Sequence, residues 1–143
     1  MAKYCPYTDG EVVYLTCEEC EEKICEGYLF CLVTRNVVFD DEDMLKKGLD
    51  TILGTKNVCI VTGGSNGAEA IAREYAIEHS LPYIEFPDAL CWDDKDRMLQ
   101  KFISKQRHRV CVICRNNHVS SYAYQLELAN EYHNRPFVIY SRK

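Results

Sequence analysis

Residues 57–76 read NVCIVTGGSNGAEAIAREYA. The apolar run 57–62 ends in a glycine-rich turn, 63–67, after which the period switches, with Ala68, Ile71, Ala72, Tyr75 and His79 recurring every three or four residues along one side of a helix. A short run that is apolar throughout is a strand buried on both faces, and such strands occur where helices cover a parallel sheet. Glycines let a backbone approach a ligand closely, and a helix N-terminus offers unpaired N–H groups to an anion, so the turn suits a phosphate. It is neither GxGxxG nor GxxxxGK, and tight strand-to-helix packing remains the alternative at this point.

Outward from this unit the pattern repeats. Upstream, YLFCLVT (28–34) reads as a strand, followed by an acidic helix start at Asp40–Asp43 and apolar positions Met44, Leu45, Leu49, Ile52 and Leu53. Acids in a first turn complement the helix dipole. Downstream, Leu81-Pro82 ends the second helix and PYIEF (82–86) is a third strand. A helix then turns Met98, Leu99, Phe102 and Ile103 inward, and RVCVIC (109–114) is a fourth strand. A last helix from about Ser120 to Glu131 shows Tyr122, Leu126 and Ala129 on one face, and PFVIY (136–140) is the fifth strand. Right-handed crossovers through these helices give an α/β fold, a Rossmann-like three-layer parallel sheet of order 3-2-1-4-5. The switch point then lies between strands 1 and 4. The loops after strands 1, 2 and 4 converge there: Thr34, Arg35 and Asn36; Gly63, Gly64, Ser65, Asn66 and Gly67; and the stretch RNNHVSS at 115–121. All three are polar, as a binding site requires.

The first 26 residues differ in kind, and the expected division is a segment 1–26 and a Rossmann-like domain 27–143. Five of the nine cysteines fall in the first 31 residues. Cys17 and Cys20 form a CxxC flanked by Cys5 and Cys25, and four thiolates meet the tetrahedral demand of a structural zinc in a small Cys-rich N-terminal hairpin. A segment with so little core would take most of its folding energy from the metal. Reduced cysteines in a hairpin docked on the main domain are the alternative. Cys31, Cys59, Cys111 and Cys114 lie inside apolar strands and read as core packing; Cys91 is undecided.

The composition, 47% hydrophobic and 27% charged over 143 residues, is that of a globular chain. The net charge of −5 disfavours general nucleic-acid binding. No apolar run reaches the roughly 18 residues of a membrane span, and the N-terminus lacks the apolar core of a secretory signal. A cytoplasmic protein is expected, with no membrane partner.

The stretch IVTGGSNGAEAIAREYAIEHSLPYIEFPDAL (60–90) resembles the second strand and helix of the SLOG superfamily, the Rossmann-like group that includes DprA and LOG proteins, and is most similar to its short prokaryotic and phage-borne members. The resemblance is carried by Gly63, Gly64, Gly67, Ala68 and Glu69, by Ala72, Tyr75, Ala76 and Glu78, and by Pro87. Where the family commonly has Asp this chain has Glu69. Where it often has Gly-Ser-Arg before Phe and Asp, this chain has Thr34-Arg35-Asn36 before Phe39-Asp40. Ser120-Ser121 stands where a Gly-Thr pair is expected. The resemblance implies a pocket for a nucleotide or nucleotide-derived small molecule. Arg35 and the glycine-rich backbone would bind its anion, Arg115, Asn116, Ser120 and Ser121 would add contacts, and the protein would sense or sequester the ligand. Arg35 paired with Asp40 or Asp41 on the surface is the alternative reading.

Two further functions stay open. LOG-type enzymes cleave nucleoside monophosphates and resemble a PGGxGTxxE pattern after strand 4, which this chain replaces with RNNHVSSYAYQLE. A nucleotide N-glycosidase or phosphohydrolase would then rest on Glu69 as general base or His118 as acid or base. The quieter readings are a carboxylate that orients a ribose hydroxyl or caps local structure, and an exposed loop histidine. DprA-like binding of single-stranded DNA would need a basic groove, for which Lys101, Lys105, Arg107, His108 and Arg109 are the candidate patch. Homo-oligomers are common among similar folds, and Tyr122, Tyr124 and Tyr132 would suit an interface.

Overall fold

Val, Ile, Leu, Phe and Cys dominate the strand segments, and the alternate side chains of β1, β2 and β4 feed two cores, one on each face of the sheet. The computed structural model describes residues 29–54, 58–86, 92–106, 108–116 and 122–142. The strands are β1 (Leu29–Val33), β2 (Val58–Thr62), β3 (Tyr83–Glu85), β4 (Arg109–Arg115) and β5 (Pro136–Tyr140); the helices are α1 (Glu42–Leu53), α2 (Ala68–Glu78), α3 (Trp92–Ser104) and α4 (Tyr122–Glu131). All neighbouring strands pair in parallel, in the order β3-β2-β1-β4-β5. The expected fold and strand order are both present. The N-terminal segment, including Cys5, Cys17, Cys20 and Cys25, lies outside the described residues, as do Cys91, His118, Ser120 and Ser121.

Cys31, Val33, Ile60, Val112 and Cys114 point to the face covered by α1 and α2, where Leu45, Leu49, Ala72 and Tyr75 meet them. Phe30, Leu32, Cys59, Val61, Cys111 and Ile113 point to the other, where Phe102 of α3 packs edge-on against Phe30 and Phe86. Cys31, Cys59, Cys111 and Cys114 are buried free thiols. Burial pushes the Cys111 thiol up to about 12 and raises those of Cys31 and Cys114 as well. His79 closes α2 as its C-cap and lies on the side expected of it, its ring centroid 4.2 Å from that of Tyr75. Among the described residues no helix is long and apolar enough to cross a membrane.

The chain end is tied in by α1. Asp41 caps this helix, accepting from the Met44 amide at 3.2 Å and from the Ser141 hydroxyl at 2.5 Å. Gly48 brings the same helix close to β5, since a Cβ there would lie 2.5 Å from Ile139 Cδ1. Loss of such a cap typically costs about 1–2 kcal/mol. Asp41→Ala, which also strands the buried Ser141 hydroxyl, is expected to lower stability by about that amount in urea unfolding, with an unchanged m-value.

Candidate functional site

The turn after β2 is organised around a carboxylate from the helix it leads into. Glu69, in the first turn of α2 and 1% exposed, accepts hydrogen bonds from the Gly63 amide, from the Ser65 amide at 3.1 Å and from the Ser65 hydroxyl. The Gly64 amide turns back to Thr62 Oγ1 at 3.2 Å. Burial raises the Glu69 carboxyl above the ordinary carboxylate range, while the bonds from Ser65 and Gly63 pull the other way. On the far side of the turn Lys95 of α3, also 1% exposed, donates from Nζ to the Gly63 carbonyl at 2.9 Å. Gly63 is gripped between them: a Cβ there would meet Lys95 Cδ at 2.8 Å and Glu69 Oε2 at 3.0 Å.

Gly67 makes the second junction. Its φ is +78°, and a Cβ would fall 2.2 Å from the Asn36 carbonyl oxygen and 2.8 Å from Val37 backbone atoms. The next amide, Ala68, donates to that carbonyl at 3.0 Å, so the loop after β1 is seated on the start of α2. Asn36 also donates from its side chain to the Cys114 carbonyl at 2.9 Å and accepts from the Val38 amide. Thr34 Oγ1 donates to the Val112 carbonyl at 3.3 Å. From β4 the Asn116 amide nitrogen donates to the Val38 carbonyl at 3.0 Å, which fixes the orientation of that side chain. Its Oδ1 is buried and without a hydrogen-bond partner among the described residues. Val37 and Val38 beside it are exposed.

Charges around this edge are largely answered within the protein. Arg35 reaches Asp96 of α3 with Nε at 3.3 Å and Nη2 at 2.8 Å, and Gln125 of α4 donates to the same carboxylate oxygen at 3.1 Å. Asp96 is buried and Arg35 partly so. Arg35 is thus anchored to Asp96 rather than to Asp40 or Asp41, and α3, α4 and the β1 loop meet at one ion pair. Arg115 ends β4 exposed, its guanidinium 4.6 Å from the Tyr122 ring centroid and 5.5 Å from that of Tyr140. Glu85 ends β3 with its carboxylate against Gly64, where a Cβ would lie 2.7 Å from Glu85 Cδ. The Tyr83 hydroxyl donates to Glu85 at 2.6 Å and lies 2.6 Å from Thr62 Oγ1. Burial and the neighbouring Glu85 raise the Tyr83 phenol, which holds it as a donor.

Residues 31–100, from β1 through the glycine-rich turn and into α3, match the model of the YspA, cpYpsA-related SLOG family. The chain belongs to the SLOG superfamily through this domain. No curated protein and no solved structure matches it.

Among the described residues the loops after β1 and β2 meet each other and the end of β4 at the carboxyl end of the sheet, joined by the Asn36, Ala68, Cys114 and Asn116 bonds. Of the residues singled out from sequence, Thr34 and Asn36 spend their side chains on the fold, and Ser65 and Glu69 on each other. Asn66 and Arg115 are exposed, Arg35 is anchored, and Asn116 keeps an unused acceptor. In the basic patch Arg109 is tied to Asn134 at 2.7 Å and to the Gln106 carbonyl at 2.8 Å. Sequence reading missed Lys95, Asp96, Gln125 and the Thr62–Tyr83–Glu85 chain. Lys95 and Asp96 stand in a DDKD stretch that looks like any solvated helix start.

Substitutions in the turn should differ sharply by position. Gly67→Ala adds a backbone collision to a left-handed φ, and should cost clearly more in urea unfolding than Gly54→Ala, where φ is +58° but nothing lies within 4 Å of the added Cβ. Glu69→Gln sets an amide NH2 against the Gly63 or Ser65 N–H and should lose about 1–3 kcal/mol at neutral pH. A raised carboxyl binds its proton more tightly in the folded than in the unfolded state, so stability from this group grows as pH falls. The stability of the wild type relative to Glu69→Gln should therefore rise between pH 7 and pH 5, measured by denaturant unfolding at each pH.

Proposed function

We propose that the SLOG domain binds a nucleotide or nucleotide-derived small molecule at the β1/β4 switch point, to sense or sequester it. The observation that carries the reading is Asn116 Oδ1, buried and without a hydrogen-bond partner among the described residues, beside the junction of the β1 and β2 loops. An unsatisfied buried acceptor costs about 1–3 kcal/mol, and a ligand N–H or O–H donor would recover it. Ligands of open α/β sheets bind outside the carboxyl ends of the strands at such a crossing. Glu69 already occupies the Gly63 and Ser65 amides, so an anionic group would sit further out, at Asn66, Gly67 and the start of α2, with Arg115 as an exposed cation at the end of β4. Glu85 repels phosphate at Gly64 and accepts from hydroxyls, which suits the sugar of the same ligand.

The test is isothermal titration of purified chain with a panel of nucleoside mono- and diphosphates and dinucleotides, with release of base and phosphate followed in the same samples. Asn116→Ala should weaken binding at least about tenfold, the size of one lost hydrogen bond of about 1.4 kcal/mol. Arg35→Ala is a poorer probe because it also frees buried Asp96. Equal binding by the Asn116 variant would remove the site from this position; release of base or phosphate would make it a hydrolytic one. Native mass spectrometry of the same protein tests the structural zinc we propose for Cys5, Cys17, Cys20 and Cys25 as an added mass lost on denaturation.

A further inference from the structure

Glu85 stands at the end of a chain of hydrogen bonds that runs one way. Thr62 Oγ1 accepts from the Gly64 amide at 3.2 Å, and the Tyr83 hydroxyl gives its one hydrogen to Glu85 Oε1 at 2.6 Å. The 2.6 Å contact between Thr62 and Tyr83 must then use the threonine hydrogen. Each donor is spent in the direction of the carboxylate. Glu85 is half-buried, and among the described residues its Oε2 carries no hydrogen bond. That oxygen lies over the glycine-rich turn, 3.0 Å from where a Gly64 Cβ would stand.

The strands fix where this acceptor is offered. Thr62 and Glu85 are partners in the parallel register, so Glu85 ends the strand next to the one that leads into the turn. Tyr83 belongs to the core under α1 and α2, and residue 85, two positions on, points to the same face as α2. One strand spacing is ~5 Å, comparable with the span from a 5′ phosphate to the far hydroxyls of its own ribose.

We propose that Glu85 makes the site selective for nucleotides with a free 2′,3′-diol, an assignment that rests on the nucleotide reading given above. With the phosphate at Asn66 and Gly67, the sugar lies beside the carboxylate. A carboxylate accepts from both hydroxyls of a vicinal pair, here at Oε2 and at the lone pair that Tyr83 leaves on Oε1. Such bonds are stronger than neutral ones. A deoxyribose forfeits one of them, and a phosphate on either hydroxyl sets like charge against Glu85. Thr62 and Tyr83 are positioning residues that hold the carboxylate over the turn, and Gly64 leaves it the room.

Isothermal titration of the full chain with nucleoside mono- and diphosphates and dinucleotides, each in its ribose and 2′-deoxyribose form, tests the proposal. A ribonucleotide that binds should do so about ten- to a hundredfold more tightly than its deoxy form, and its 2′-phosphorylated form should be rejected. Glu85→Gln turns its amide oxygen to Tyr83 and its NH2 outward, so it should shrink the ribose preference about tenfold and admit the 2′-phosphorylated ligand. Tyr83→Phe removes the anchor but keeps the carboxylate, and should shrink the preference while binding the deoxy form as the wild type does. Equal binding of ribose and deoxyribose forms by the wild type would overturn the proposal and leave the nucleotide reading standing, as would an unchanged preference in Glu85→Gln. The wild-type comparison needs no variant and decides even where a variant fails to fold. No binding by any member of the panel would overturn both readings.

Discussion

A carboxylate buried beneath a glycine-rich turn is the constraint from which the rest of this edge of the molecule is built. Glu69 gathers the Gly63 and Ser65 donors into one cluster, and in doing so sets the path of the turn before any ligand arrives. A buried negative charge is tolerable only when it is hydrogen-bonded or balanced nearby. The turn supplies the first condition, and Lys95, pressed on the other flank of Gly63, bears on the second. The same pattern recurs one layer away with Arg35 and Asp96, where Gln125 adds the remaining donor. Two acids and two bases from α2, α3 and the β1 loop thus form the floor on which the outer rim of loops rests.

That floor explains why the site is rigidly coupled to the fold. The β1 loop cannot shift without breaking the Asn36 bonds to Ala68 and Cys114, and α2 cannot advance toward it because Gly67 already lies against the Asn36 carbonyl. The N-terminus of α2 is therefore presented at a fixed height above the sheet, with Val37 and Val38 exposed beside it. Rigid scaffolds that hold polar loops in place are the common basis of recognition in α/β folds.

Much of the architecture was legible because its signals are local. Strands such as VCIVT are apolar on both faces, and helices such as α1 carry apolar residues at three-to-four spacing, so strand order followed from chirality rules alone. The glycine turn was equally visible. What could not be read was partnership across the sheet. Nothing in the sequence says that Arg35 will meet an acid 61 residues away, or that a lysine in DDKD will be buried against a glycine carbonyl. Such pairings depend on the register of whole elements, and polar residues look alike whether they face water or each other. His79 shows the same limit at the level of one turn: it keeps the helical period and yet ends the helix.

The four core thiols have a practical consequence. Cys31, Cys59, Cys111 and Cys114 sit on three adjacent strands, facing both cores, and no solvent reaches them while the sheet is intact. Only the thiolate reacts with alkylating reagents, and burial keeps Cys31, Cys111 and Cys114 protonated far above physiological pH. The chain thus carries an internal clock. Labelling at these positions would advance only when the strands part, so the rate of alkylation reads out the opening of the sheet from within, strand by strand, with no engineered cysteine.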